Sequence, residues 1–163
     1  MKDKAIIIGA STVGKSTLKK YLLETTDLKL DEMDEMLTRM NGGIYPKDGD
    51  YRHKVLEPRI VQEVLGQDHI IFFTNTNVFS IKDLVQAHKL GFVVIQLLLS
   101  PEKMESRNRH RIKHESYDDV SMYFTYMIKY QEEIKSNGIV DKEIDTDQPV
   151  EIITREVLEA LHI

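Results

Sequence analysis

One segment near the start of the chain constrains its fold more than any other. It fits the pattern G-x-x-x-x-G-K-[ST] and reads Gly9-Ala10-Ser11-Thr12-Val13-Gly14-Lys15-Ser16. A short β-branched run over residues 5–8 precedes this segment, and a helical spacing of apolar residues over 17–25 follows it. A strand that passes through a glycine turn directly into a helix indicates a layered α/β protein.

The residue types of this segment suit the binding of a triphosphate. Backbone N–H groups in a tight loop point inward together, and the following helix aims its positive end at the same anion. We expect Gly9 to let the chain leave the strand sharply and Gly14 to let the backbone approach the phosphates. Lys15 would reach the β and γ phosphates, and the Ser16 hydroxyl is a hard oxygen ligand suited to Mg²⁺. The predicted residues for ATP are Gly9, Ala10, Ser11, Thr12, Val13, Gly14, Lys15, Ser16 and Thr17, with Ser16 as the metal ligand.

Downstream of this loop, short apolar runs alternate with longer helical patterns. Strands are predicted at 28–30, 69–74, 92–99 and 139–144, in addition to 5–8. Helices are predicted at 33–40, 58–65, 81–90, from 101 through the arginines that follow, at 117–135 and at 150–161, with a loop over 44–51. Strands separated by helices need crossover connections. The sequence therefore predicts one α/β domain over 1–163, a three-layer α/β/α arrangement with a five-stranded parallel sheet.

The composition excludes several classes of protein. The 163 residues include no cysteine, which rules out disulfide scaffolds, thiol nucleophiles and cysteine-ligated zinc. The net charge of −5 disfavours a nucleic-acid partner bound by bulk charge. The longest apolar run, 92–99, is too short to span a membrane, and the four apolar residues before Gly9 are too few for a signal-peptide core. We therefore expect a cytoplasmic enzyme or binding domain without membrane contact, compatible with a monomer.

The phosphate loop occurs in several classes of nucleotide-binding protein, which other motifs separate. A switch GTPase needs D-x-x-G after its third strand and N-K-x-D for guanine, and neither motif occurs in this sequence. A motor-type ATPase usually has a carboxylate at the end of the third strand, where this chain has Phe72-Phe73-Thr74-Asn75. Both classes are therefore disfavoured.

Over nearly its whole length the chain resembles the nucleoside-monophosphate-kinase and shikimate-kinase group of P-loop phosphotransferases. The matching features are the phosphate loop, the acidic element Leu30-Asp31-Glu32-Met33-Asp34, the arginines at 107, 109 and 111, and the segment beginning Ile144-Asp145-Thr146. The resemblance implies a P-loop NTPase fold with an acceptor region at about 31–66 and a short lid at about 101–116. It also implies that the acidic element lies over the acceptor and that Asp145 and Thr146 lie beside the adenine.

This resemblance does not identify the acceptor. After the third strand, nucleoside-monophosphate kinases usually carry an Asp-Gly-Phe-Pro-Arg-like stretch and shikimate kinases carry a glycine triplet, whereas this chain has Thr74-Asn75-Thr76-Asn77. Open α/β sheets bind ligands at the carboxyl ends of their strands. The amides and hydroxyls here suit a polar acceptor, with a simple asparagine-rich turn as the alternative.

Two aspartates of the acidic element are candidates for the catalytic carboxylate. Asp31 and Asp34 are three residues apart, so one helical turn could direct both at the phosphate loop. Either could take the proton of an acceptor hydroxyl or hold a Mg²⁺-bound water. The alternative is a helix N-cap at Asp31 with a first-turn acid at Asp34. We expect Glu32 and Glu35 to be solvated.

Basic residues provide the second set of catalytic candidates. On a helix Arg107 and Arg111 share a face while Arg109 points elsewhere, although a flexible lid could turn all three inward. Guanidinium groups stabilise charge on a transferring phosphoryl group, so we predict catalytic roles for Arg107 and Arg111 and a nucleotide contact for Arg109. The alternative is a basic, solvated helix. Arg52 and Arg59 fall in the acceptor region, where either could grip an anionic acceptor.

Together these features predict an ATP-dependent, Mg²⁺-requiring phosphotransferase acting on a small metabolite such as a nucleoside, nucleotide, sugar or small acid. Lys15 would hold the β and γ phosphates, and Asp31 or Asp34 would orient the acceptor. The lid arginines would neutralise the transition state, and closure would exclude water. Two alternatives remain open: a nucleotide-binding protein or ATPase without small-molecule kinase activity, and a nucleic-acid 5′-end kinase.

Overall fold

A five-stranded parallel sheet forms the centre of the computed structural model, which describes residues 3–163. The strands are β1 (Lys4–Gly9), β2 (Leu30–Glu32), β3 (Ile70–Thr74), β4 (Val93–Leu98) and β5 (Lys142–Asp145). Their order in the sheet is β2-β3-β1-β4-β5, and each neighbouring pair is parallel. Parallel neighbours require crossover connections, which the helices supply.

Helices cover both faces of this sheet. They are α1 (Lys15–Thr25), α2 (Met33–Met40), α3 (Gly49–Tyr51), α4 (Glu57–Leu65), α5 (Ile81–Lys89), α6 (Pro101–His114), α7 (Phe124–Ser136) and α8 (Val150–Leu161). A π-helical turn (Arg52–Leu56) joins α3 to α4, and a 3₁₀ turn (Ser121–Tyr123) precedes α7. Among residues 3–163, no helix combines the length and the apolar character needed to cross a membrane. The predicted three-layer fold class is confirmed.

The sheet separates two apolar cores. Ile6 and Phe72 point into the core beneath α2, α4 and α5, whereas Ile7 and Phe73 point into the core beneath α1 and α8. Successive side chains of a strand point to opposite faces, so β1 and β3 contribute alternate residues to the two cores. Burial on both faces explains why these strands are continuous apolar runs in the sequence.

The acceptor region is more helical than predicted. The prediction of a loop over 44–51 is wrong at its end, because helix α3 begins at Gly49 and runs through the π-helical turn into α4. The Asp48 side chain accepts a hydrogen bond from the backbone N–H of Tyr51 at 3.2 Å. The turn-forming residue Asp48 therefore caps a helix instead of only bending the chain.

The predicted start of helix α7 at 117 is also wrong, since the helix begins at Phe124. The cause is tertiary. Asn108 of α6 is buried, and its amide donates to Asp119 Oδ1 at 2.9 Å and accepts from the backbone N–H of Val120 at 3.2 Å. Asp119 Oδ1 also accepts from the backbone N–H of Ser121 at 2.9 Å. These bonds hold residues 119–121 in a turn that local helical spacing does not reveal.

Candidate functional site

A cavity of about 810 Å³ opens at the carboxyl edge of the sheet. The phosphate loop and the start of α1 form one wall, and α6 with the loop after it forms the second. The end of β3 and the β2–α2 junction form the third. This edge is where open parallel sheets bind ligands, so the fold places the predicted loop at an expected binding position.

The two glycines of the phosphate loop serve different purposes. A Cβ on Gly9 would lie 2.6 Å from Cγ2 of Val13, so Gly9 is required for space where the loop folds back on itself. Gly14 has φ +90° and immediately precedes α1, in the left-handed region that favours glycine. Together the two residues allow a tight loop that ends in an exposed helix N-terminus.

Lys15 lies at the centre of the loop. Its Nζ donates to the backbone oxygens of Gly9 at 2.6 Å and Ala10 at 2.8 Å. Burial lowers the pKa of Lys15 to about 8, while the nearby Asp34 and Glu32 act in the opposite direction. A bound anion would favour the charged form of this side chain, which links nucleotide binding to its protonation.

Two hydroxyl groups of the loop are buried without a hydrogen-bond partner among residues 3–163. They are Ser11 Oγ and Thr12 Oγ1. Buried hydroxyls are normally paired, so a polar ligand would complete the hydrogen bonding of this loop. The Ser16 and Thr17 side chains are exposed and line the cavity, whereas Ala10 and Val13 are buried in the core.

Helix α6 directs two arginines at the phosphate loop. Arg107 Nη1 donates to the backbone oxygen of Thr12 at 3.1 Å, and Arg111 Nη1 donates to that of Ser11 at 2.7 Å. The guanidinium of Arg111 also lies 3.9 Å from the centre of the Tyr117 ring, a cation–π contact that the sequence did not suggest. The two arginines predicted to share a helical face therefore meet on the same loop.

Arg109 points away from this loop. Its side chain is exposed, and Nη1 lies 3.9 Å from Glu105 Oε2, one helical turn earlier. The structure does not bring Arg109 to the cavity, and its predicted nucleotide contact stays a prediction that would require the lid to move.

The acidic residues Asp31 and Glu32 are consecutive in the short strand β2, so their side chains point to opposite faces of the sheet. Asp31 pairs in register with Phe72, and its Oδ2 accepts from Arg39 Nη2 at 2.5 Å, outside the cavity. Glu32 lies on the opposite face, beside the phosphate loop. The predicted N-cap at Asp31 is wrong, because Asp31 is a strand residue and the residue before α2 is Glu32.

Glu32 and Asp34 line the cavity at the β2–α2 junction, and Glu115 and Asp118 line it at the end of α6 and in the loop that follows. Asp34 is exposed in the first turn of α2. The expectation that Glu32 is solvated is wrong: Nζ of the buried Lys19 lies 3.6 Å from Glu32 Oε2 and 2.7 Å from Glu35 Oε2, and desolvation raises the pKa of Glu32. The sequence prediction placed Asp31 and Asp34 on one helical turn and therefore missed Glu32. The alternation of side chains along strand β2 directs Glu32 to the cavity.

The carboxyl end of β3 completes the cavity with uncharged polar groups. Thr74 is buried and Asn75 half-buried, and both line the cavity. Asn77 has φ 66°, and its amide donates to Thr76 Oγ1 at 3.1 Å. The predicted polar segment therefore reaches the cavity through its first two residues, while the last two shape the turn.

The other candidates lie outside the cavity. Thr146 uses both its backbone N–H and its hydroxyl to bond the Leu98 oxygen, each at 2.9 Å, and Asp145 accepts from the backbone N–H of Asp147 at 2.8 Å. Their predicted position beside an adenine stays a prediction. In the acceptor region the Arg52 guanidinium lies 5.6 Å from the centre of the Tyr45 ring.

The fold and the phosphate loop define a P-loop protein with the architecture of the small-molecule kinases. A shikimate kinase from Rhodococcus erythropolis is 29% identical over 104 residues, which cover 60% of this chain and 62% of that protein. The chain spans less than two thirds of the length of the curated relatives that it matches. No family model matches it.

Two solved structures show the same architecture. A shikimate kinase from Acinetobacter baumannii in complex with shikimate has a TM-score of 0.73 at 14% identity and covers 99% of this chain and 94% of its own. A gluconokinase from Sinorhizobium meliloti has a TM-score of 0.65 at 20% identity and covers 98% and 92%. These likenesses are of fold, and with the sequence similarity they confirm the resemblance to the P-loop small-molecule kinase group.

Proposed function

We propose that this protein is an ATP-dependent kinase that transfers the γ-phosphoryl group to a hydroxyl group of a small metabolite. One observation carries the proposal: a single cavity places Lys15, Arg107 and Arg111 opposite the carboxylates of Glu32 and Asp34. Phosphoryl transfer needs cations around the transferring group and a carboxylate at the attacking hydroxyl. The names of the similar proteins, shikimate kinase and gluconokinase, support the same reaction class.

In this proposal, one side of the cavity binds the phosphates of ATP and the other orients the acceptor. Lys15 and the loop N–H groups would bind the β and γ phosphates, and Arg107 and Arg111 would turn from the loop oxygens to the transferring group. Asp34 would orient the acceptor hydroxyl and accept its proton. Asp34 is preferred over Asp31 for this role because Asp31 is paired with Arg39 outside the cavity.

The same side chains fit a magnesium ion bound together with the nucleotide. The Ser16 hydroxyl and the carboxylates of Glu32 and Asp34 are hard oxygen donors in one cavity, which Mg²⁺ prefers. Residues 3–163 contain no cluster of three or more histidines and carboxylates able to hold a metal without further ligands. Phosphate oxygens would therefore complete the coordination, and the ion would neutralise phosphate charge when bound.

The proposal includes the division of the chain that the sequence predicts. Residues 31–66 would form the acceptor region, residues 101–116 the lid, and closure of the lid would exclude water that otherwise hydrolyses ATP. A cytoplasmic, monomeric enzyme belongs to the same proposal.

A coupled assay of ADP release tests this function. Nucleosides, nucleoside monophosphates, sugars, polyols, small acids and a 5′-hydroxyl oligonucleotide are each added with ATP, with and without Mg²⁺. We expect Mg²⁺-dependent release that a small acceptor stimulates. Release without any response to an acceptor would indicate an ATPase, and stimulation by the oligonucleotide alone would indicate a 5′-end kinase; either result contradicts the proposal.

A further inference from the structure

We propose that Asn108 is a positioning residue that keeps the loop at residues 115–120 closed between the cavity and solvent. Its side chain lies in α6 and bonds to the far end of that loop, so it acts on bound ATP through the loop. This inference rests on the proposed function, because a closed loop matters where water would otherwise compete with an acceptor for the γ-phosphoryl group.

The loop at 115–120 separates the cavity from solvent. Four of its residues line the cavity: Glu115, Tyr117, Asp118 and Val120. The residues from 115 to 119 are also exposed, whereas Val120 is half-buried and packs against the core beneath α1 and α8. A segment with the cavity on one side and solvent on the other controls the access of water, provided that both of its ends are held.

The first end of the loop is held by the last turn of α6. The backbone oxygen of Arg111 accepts from the N–H of Glu115 at 3.0 Å and from that of Tyr117 at 3.3 Å, and the Tyr117 ring lies against the Arg111 guanidinium. Between these two residues Ser116 has φ 55°, in the left-handed region that a residue with a side chain seldom adopts. Strained backbone of this kind persists where surrounding contacts fix it. All of these contacts lie within residues 111–117.

The second end of the loop is held by Asn108. Its side chain is buried, its amide donates to Asp119 Oδ1 at 2.9 Å, and its Oδ1 accepts from the backbone N–H of Val120 at 3.2 Å. Among residues 3–163 these are the two hydrogen bonds that join residues 118–121 to α6. The bond from Asn108 and the bond from the N–H of Ser121 also lower the pKa of Asp119, which favours its ionised form. The attachment of the second end therefore depends on one side chain.

The position of Asn108 gives this attachment a consequence for the reaction. Asn108 and Arg111 are three residues apart, so both ends of the loop are attached to the part of α6 that places Arg107 and Arg111 on the phosphate loop. Loss of the Asn108 side chain would release residues 118–121 and open a path for water beside the phosphates. The expected result is ATP hydrolysis without transfer, which differs from the uniform loss of activity that general destabilisation produces.

Parallel measurement of ADP and of phosphorylated acceptor tests this role. In Asn108→Ala we expect acceptor-independent ADP release to rise about fivefold and the yield of phosphorylated acceptor per ADP to fall, because water reaches the phosphates. A fall of both rates in the same proportion, with the yield unchanged, would show a purely structural role and overturn the inference.

Tyr130→Phe is the matched control. It removes a buried hydrogen bond of 2.7 Å from the Tyr130 hydroxyl to the Phe79 oxygen, outside the cavity. We expect the free energy of unfolding to fall while the yield of phosphorylated acceptor per ADP stays that of the natural protein. An equal rise of acceptor-independent ADP release in Tyr130→Phe would attribute the effect to destabilisation and contradict the inference.

An exchange of the two bonded groups provides a rescue. Asn108→Asp alone places two carboxylates opposite each other and should raise acceptor-independent ADP release. The double variant Asn108→Asp with Asp119→Asn restores an amide donor together with oxygen acceptors for the N–H groups of Val120 and Ser121. We expect its ADP release to return to within about twofold of the natural protein. Failure of this rescue in a double variant that denaturant unfolding shows to be folded would overturn the inference.

Asp119→Ala keeps the test decisive if Asn108→Ala does not fold, since Asp119 is exposed and its substitution leaves no cavity in the core. We expect acceptor-independent ADP release to rise about threefold, because one of the two bonds to α6 is lost. No rise in this variant would overturn the inference. Failure of the proposed function is distinguishable, because it would appear in the natural protein as ADP release that no acceptor stimulates.

Discussion

Two parts of the cavity are built from the chain in different ways: the phosphate side, formed by residues 9–17 with Arg107 and Arg111, and the acceptor end, formed by Glu32, Asp34, Thr74 and Asn75 and named for its proposed role. Residues 9–17 are contiguous, and their backbone geometry follows from two glycines and a helix start. The acceptor end combines the end of β2, the first turn of α2 and the end of β3, which lie about forty residues apart in the sequence. A contiguous motif can be recognised locally, whereas an assembled surface depends on strand pairing and side-chain parity.

The two sides also differ in electrostatics. The phosphate side concentrates Lys15 and two arginines on backbone oxygens, while the acceptor end presents two carboxylates. Glu115 and Asp118 also line the cavity, and Glu115 Oε2 lies 3.8 Å from Arg111 Nε, so carboxylates occur on both sides while the lysine and arginines are confined to the phosphate side. We propose that the phosphate side binds ATP and the acceptor end binds the acceptor. Substitutions on the phosphate side should therefore change the kinetic constants for ATP, and substitutions at the acceptor end should change those for the acceptor.

The largest effect is expected on the phosphate side. Lys15→Ala removes the cation proposed to contact the transferring phosphates, and we expect kcat/KM for ATP to fall about 10³-fold in the coupled ADP-release assay. Lys20→Ala, an exposed lysine on the same helix, is the matched control and should stay within twofold of the natural protein. A Lys15 variant with most of its activity would contradict the division of the cavity.

The difference between a contiguous motif and a surface assembled from several strands explains how much of the site the sequence could predict. Fold class, phosphate loop and the shared face of Arg107 and Arg111 follow from local patterns, and the structure places these residues together. Glu32 was missed because strand β2 is only three residues long, so a helical spacing seemed to include it. Pairing with β3 decides its orientation, and pairing is not visible in a three-residue segment.

The start of α7 is a second place where tertiary contacts, and not local sequence patterns, decide the structure. The apolar spacing after residue 117 is helical, yet bonds from the buried Asn108 hold residues 119–121 in a turn. Tertiary contacts outweighed a local preference worth only a few tenths of a kcal/mol per residue. Tyr117 lies in the loop before that turn, where its backbone N–H donates to the Arg111 oxygen at 3.3 Å and its ring contacts the Arg111 guanidinium, so a helix predicted from 117 could not include Tyr117 in the site.

Variants of Asp31 and Asp34 test which carboxylate acts at the acceptor end. Asp34→Asn removes the carboxylate proposed to accept the hydroxyl proton, and we expect kcat to fall about 10²-fold while the KM for ATP changes little. Asp31→Asn should retain activity within about threefold, because Asp31 faces Arg39 and not the cavity. Steady-state kinetics with ATP and the acceptor varied separately measures both. Equal losses of kcat in the two variants would refute the assignment of Asp34.

Helix α6 tests whether the lid belongs to the phosphate side. Arg111→Ala should lower kcat/KM for ATP about 10- to 30-fold, which is the lower end of the about 1.5–3 kcal/mol that a hydrogen bond to a charged group contributes, because the Arg111 side chain is half-buried. Lys113→Ala, an exposed lysine on the same helix, is the control and should have little effect. If Arg111→Ala raised the KM of the acceptor instead, the lid arginine would act on the acceptor side and the comparison would fail.

The smallest effect concerns the protonation of Lys15, whose pKa burial lowers from 10.5 to about 8. A triphosphate binds the charged form better, so we expect the dissociation constant of ATP to rise three- to fivefold between pH 7 and pH 9. The nucleotide-free protein should respond with the opposite sign. Between about pH 8 and 10.5 the unfolded chain binds more protons at this residue than the folded chain, so stability should increase with pH there.

This opposite dependence is specific to Lys15 and can be isolated by difference. Denaturant unfolding and ATP titrations are performed at pH 7 and pH 9 on the natural protein and on Lys15→Ala, so that contributions of all other titrating groups cancel. From the two pKa values we expect the natural protein to gain about 1 kcal/mol of unfolding free energy relative to the variant over this interval. A relative loss of stability toward pH 9 would show that the ammonium is favourably paired in the free protein. The loop cations would then be neutralised before ATP binds, and the electrostatic contrast between the two sides of the cavity would not exist.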